Sequence, residues 1–146
     1  MSWYKAIRVK CIIKEEFRKD FEPIALYGKW NASSHPVLRD FGYDDEEAAF
    51  IPTHRCNFPI DWDGCDAVGE EYETKWNPET GEWVFACSIN SVLCSVIRDF
   101  ADEIAPIIVE RFIKYEFWIE PLNDMDFGEP ADITDYMNSC LNEERR

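Results

Sequence analysis

From Trp3 onward the chain alternates, with Trp3, Ile7, Val9, Cys11 and Ile13 on one parity and Arg8, Lys10 and Lys14 on the other. That period of two predicts a half-buried strand over residues 3–14. The period then lengthens. Phe17, Phe21, Ile24 and Gly28 follow at helical spacing, Glu15 and Glu16 suit the positive end of a helix, and Gly28 is a stop signal. Pro23 is expected to kink or split this helix. Residues 29–70 show no sustained period and hold Pro36, Pro52, Pro59, Gly42, Gly64 and Gly69. They predict an irregular insertion, with room for a short helix within 37–50.

Regular pattern resumes with Tyr72, Thr74 and Trp76 alternating against Glu71, Glu73 and Lys75. After Asn77-Pro78-Glu79-Thr80-Gly81 the alternation continues through Trp83, Phe85, Cys87 and Ile89. Pro78 suits the second position of a type I turn and Gly81 the left-handed position that closes it, so strands 70–77 and 82–90 are expected to pair antiparallel. Leu93, Ile97, Phe100, Ile104 and Ile108 then recur every three to four residues, an amphipathic helix that Pro106 should bend or end. Ile113, Tyr115, Phe117 and Ile119 alternate with charged residues and predict a last strand, stopped by Pro121. Ile133, Met137 and Leu141 share one face of a closing helix over 131–143.

The order strand, helix, strand, strand, helix, strand predicts an α+β fold of the ferredoxin-like βαββαβ kind. Two helices would pack on one face of an antiparallel sheet, with an irregular insertion after the first helix and an appended C-terminal helix. A length of 146 residues with 46% hydrophobic and 15% aromatic side chains fits a single domain over 1–146. The longest stretch without a charged residue, 83–97, falls short of the roughly 18 needed to span a bilayer. The first residues carry neither the apolar run of a secretory signal nor the pattern of a transit peptide, so a cytoplasmic protein is expected.

Charge changes the picture most. With 15 Lys+Arg against 30 Asp+Glu the net charge is −15, and it is unevenly placed. Residues 1–30 hold seven basic and four acidic side chains, a local +3, which leaves −18 on the remainder. Residues 40–73 hold eleven carboxylates against Arg55 alone, and 116–144 contain no basic residue. Binding to DNA or RNA, or to an anionic membrane, needs Lys and Arg, so both are disfavoured. A partner should instead be basic.

Candidate chemistry is sparse. The six cysteines are expected to be free thiols in a chain of this length without a secretory signal. His54, Cys56 and Cys65 are suitable zinc ligands, but no C-x-x-C accompanies them and a fourth ligand is undefined. The interval Gly64 to Gly69 is followed by Glu70 and Glu71, which would repel a phosphate. Asp124, Asp126 and Asp135 echo a calcium loop, yet Gly128 and Glu129 stand at the ligand and turn-glycine positions. Neither His35 nor His54 comes with an identifiable nucleophile. No catalytic residue, metal or cofactor is therefore assigned.

What remains is the acidic surface. A duplex shows one charge per roughly 1.7 Å of axis, so fifteen charges match roughly 25 Å of DNA. A globule of this length has a radius of gyration of about 15 Å, and the densities are comparable. The expected function is non-catalytic: an inhibitor that occupies the basic nucleic-acid-binding surface of an enzyme, as anti-CRISPR and anti-restriction proteins do, or an immunity protein capping a basic toxin. Asp44, Asp45, Glu46, Glu47, Asp61, Asp63, Glu70 and Glu71 are the expected partner-binding residues. The alternative is a small metal- or ligand-binding protein or enzyme on the same sheet.

Overall fold

The computed structural model describes residues 4–44, 47–54, 72–90, 96–119 and 131–144. Strands β1 (Tyr4–Ile13), β2 (Lys75–Trp76), β3 (Glu82–Asn90), β4 (Val109–Ile119) and β5 (Ala131–Asp132) form one sheet in the order β2-β3-β1-β4-β5. Every neighbouring pair is antiparallel, and helices fill the intervals, so the fold is α+β. The parity of β1 holds: Ile7, Val9, Cys11 and Ile13 are buried with Trp83, Phe85, Cys87 and Ile89 of β3 in one core. Each of those side chains is removed from water, which contributes about 1.5–3 kcal/mol for the larger ones.

The first helical segment is split, as Pro23 requires. Helix α1 (Glu15–Arg18) ends before Phe21, and α2 (Glu22–Tyr27) restarts with Pro23 in its first turn, where no N–H is needed. Gly28 ends α2 at φ +65°, and its amide returns to the carbonyls of Pro23 and Ile24. A Cβ at Gly28 would lie 2.4 Å from the Ala49 oxygen, so this turn also seats the next segment.

The described part of the expected insertion is not irregular. A 3₁₀ turn at Trp30–Ala32, helix α3 (Pro36–Asp44) and the single turn α4 (Phe50–Thr53) all pack on the core. Trp30, Leu38, Phe41, Ala48 and Ile51 are buried there at spacings that match no single period. The indole N–H of Trp30 donates to the Ile51 carbonyl (2.9 Å) and that of Trp83 to the Ala25 carbonyl (3.0 Å). Trp30 thereby ties the 3₁₀ turn to α4, and Trp83 ties α2 to the sheet.

The hairpin closes as its turn residues dictate. Asn77 Oδ1 accepts the amides of Glu79 and Thr80, Gly81 takes φ +80°, and Trp76 pairs with Trp83. Its first strand is shorter than expected, because Tyr72 has left the ladder and lies against Arg8 and Lys10 on the sheet's second face. The long helix runs as α5 (Val96–Asp99), a π turn (Phe100–Ile104) and α6 (Ala105–Ile108). Pro106 has no amide for the carbonyl four residues back, and the ladder widens just before it.

Strand β4 begins directly after α6, earlier than expected. Lys10 faces Lys114 while Cys11 faces Phe112, so Ile113 is the extra residue of a bulge. The bulge turns Ile113 outward, 41% exposed, and puts Phe112 and Tyr115 in the core. Helix α7 (Thr134–Glu144) starts three residues later than the pattern suggests, since Ala131 and Asp132 pair with Phe117 and Glu116 as β5. Met137 and Leu141 reach the core as expected. No helix among the described residues is long and apolar enough to cross a membrane.

Candidate acidic interaction surface

Of the eight expected partner-binding residues, the structure describes two. Asp44 closes α3 and is exposed. Glu47 is half-buried in the turn before α4, with its Oε2 shielded from solvent, so it is less available than a surface carboxylate. Asp45, Glu46, Asp61, Asp63, Glu70 and Glu71 lie outside the described residues, as do Cys56, Cys65, Asp124 and Asp126. His54, weighed above with Cys56 and Cys65 as a zinc ligand, stacks on Phe50 at 4.2 Å and its carbonyl accepts the Ser88 amide. Among the described residues no three His, Cys, Asp or Glu side chains converge to hold a metal ion.

The reactive groups that are described have structural partners. His35 Nδ1 accepts the Val37 amide at the start of α3, and its ring lies against Phe17. Cys11 and Cys87 are free and buried, and burial pushes the Cys11 thiol well above its usual range, away from the nucleophilic thiolate. Burial likewise raises the Tyr115 phenol.

Several basic side chains of the N-terminal segment are turned onto the chain itself, while Lys19 and Lys29 are exposed. Arg8 Nη2 donates to Glu116 Oε2 at 2.7 Å, with both side chains nearly buried. Tyr72 donates its hydroxyl to Glu116 Oε1 (3.0 Å), and the Arg8 guanidinium lies 4.7 Å from the Tyr72 ring centre. Lys14 Nζ donates to the Pro106 carbonyl (3.1 Å). Arg18 donates from Nε to the Ile13 carbonyl (2.8 Å) and from Nη1 to that of Glu79 (3.3 Å). At the other edge, Lys114 pairs with Asp132 at 2.6 Å. Hydrogen bonds from Lys114, then from Thr134, hold the Asp132 carboxyl well below the usual carboxylate range.

The carboxylates of that same segment face the other way. Glu15, Glu16 and Asp20 are exposed, as is Glu110 at the start of β4. Two hollows meet at Glu16. One, of about 570 Å³, is lined by Lys14, Glu15, Glu16 and Glu110. The second, of about 410 Å³, runs between α1–α2 and the turn into α3. Phe17, Phe21, Ile24 and Leu38 make its apolar floor, and Glu16, Asp20, Ser33, Ser34 and His35 stand along its sides.

Sequence reasoning missed this acidic end because residues 1–30 are net positive by count. The signal present was the i, i+4 spacing of Glu16 and Asp20, which places both on one side of the turn. Such an end can attract cations and stack or cover their apolar stems. No protein-family model, curated protein or solved structure matches the chain.

Proposed function

We propose that the protein is a non-catalytic acidic binding module that docks on a basic protein surface of the type that holds nucleic acid. The observation that carries this reading is the inward use of Arg8, Lys14 and Arg18, which leaves the carboxylates of the same segment outward. Arg8 is neutralised by Glu116, while Lys14 and Arg18, bonded to neutral carbonyls, keep their charge beside the exposed carboxylates of a chain whose net charge is −15. A field of that sign speeds encounter with a basic partner and weakens as salt screens it. In this reading the partner is a nucleic-acid enzyme or a basic toxin, and the protein acts as an anti-CRISPR-like or anti-restriction inhibitor, or as an immunity protein, in the cytoplasm.

The proposed scaffold is a ferredoxin-like sheet extended by one short strand. A split βαβ unit leaves space for a strand between its two parallel strands; β1 lies between β3 and β4, and β3 lies between β1 and β2. In this reading the acidic residues of segment 40–73 supply further carboxylates for the basic partner.

The test is capture from source-cell lysate at low salt, with wild type and an Asp44→Asn, Asp45→Asn, Glu46→Gln, Glu47→Gln variant compared by mass spectrometry. A basic nucleic-acid enzyme should be retained by wild type and depleted on the variant, which stays folded although Glu47 is half-buried. Equal retention on both baits rejects the role of these four residues.

A further inference from the structure

We infer that the hollow between α1–α2 and the turn into α3 takes the side chain of an arginine or lysine from a basic segment of the partner. This inference rests on the acidic-module reading above and gives it a specific site. The floor of Phe17, Phe21, Ile24 and Leu38 is apolar and fixed by the core, with Phe21 and Leu38 almost wholly buried. Glu16 of α1 and Asp20 of the turn after it stand exposed beside it. Apolar wall and anionic side together match a long aliphatic stem with a cationic head: the stem lies against the half-buried Phe17, over a floor the core already closes, and the head donates to carboxylate. The ring of His35, held against Phe17 and fixed by the Val37 amide, adds a flat wall on which a guanidinium stacks.

One feature favours a peptide segment over a free small ligand. Glu16 also belongs to the wall of the neighbouring hollow with Glu15 and Glu110, so a second basic residue of the same segment finds carboxylates there. The cation native to that hollow, Lys14, is held by the Pro106 carbonyl.

A hexa-arginine peptide titrated into the full chain at low salt, followed by amide shifts in ¹H–¹⁵N spectra, reads the site directly. Saturable shifts at residues 16–20 and 33–38 are expected, with affinity falling about tenfold in a Glu16→Gln, Asp20→Asn variant. Ser34→Trp, which fills the hollow and keeps every charge, should weaken binding as well. If the charge variant weakens binding but Ser34→Trp does not, diffuse charge alone is at work and the inference is overturned. Shifts confined to other carboxylates overturn the site while leaving the acidic-module reading intact; absence of any binding overturns both.

Discussion

Asp132 does two jobs with one carboxylate. Its Oδ1 accepts the amide (3.0 Å) and the hydroxyl (2.6 Å) of Thr134 at the start of α7, while Oδ2 takes Lys114. Both partners favour the charged form, so its folded-state titration is depressed relative to the unfolded chain, where Asp titrates near about 3.9. The contribution is thus present above that pH and lost as pH falls through the lower folded-state value. Because the side chains of Lys114 and Asp132 are 40% and 48% exposed, water screens the pair and limits its contribution to at most about 1 kcal/mol. Asp132→Asn keeps an acceptor for Thr134 but cannot ionise. Urea unfolding at pH 7 and pH 3 should show a smaller acid-induced loss in that variant than in wild type; equal losses would remove Asp132 from the acid response.

Among the elements, the edge of β4 is closed by side chains as well as by β5. Asn138 of α7 accepts the Phe112 amide (2.7 Å) and donates to the Phe112 carbonyl (3.0 Å), as a neighbouring strand would. Thr134 Oγ1 accepts the Tyr115 amide, and the Ile133 amide donates to the Tyr115 carbonyl. A helix thereby covers backbone groups that would otherwise recruit another strand. Asn138→Ala should cost about 1–3 kcal/mol by leaving both Phe112 groups without this partner. Its urea midpoint should fall and its sedimentation should become concentration-dependent, whereas an unchanged midpoint would contradict the edge role. The edge was not legible in the sequence, since Asn138 acts across 26 residues and β5 is too short to show a period. The alternation of β1 and β3 was legible, although β3 is buried on both faces from Trp83 to Ile89, as were the Pro23 break and the Gly28 stop. The bulge at Ile113 shifts the parity of β4 only on its N-terminal side, where Phe112 rather than Ile113 joins Tyr115 in the core, and Trp30, Leu38, Phe41 and Ile51 reach the core from a 3₁₀ turn, α3 and α4, whose joint spacing has no single period. The acidic end was hidden for a related reason: Arg8 and Arg18 find partners 108 and 61 residues away, and a local charge count treats them as exposed.

At the scale of the whole molecule, a chain of −15 turns several of its basic groups inward and presents exposed carboxylates along α1 and at the end of α3. Such a body repels nucleic acid, and the proposed function has it compete with nucleic acid for the same basic groove. The most direct measurement is displacement. Protein captured from lysate at low salt is washed with a short DNA duplex at constant ionic strength, and the eluate is compared with a matched-salt wash without DNA. The account predicts that a basic protein leaves the wild-type bait with the duplex and stays through the control. Retention of the bound protein in the presence of excess duplex would contradict it, because a partner held elsewhere than at its nucleic-acid surface has no reason to exchange.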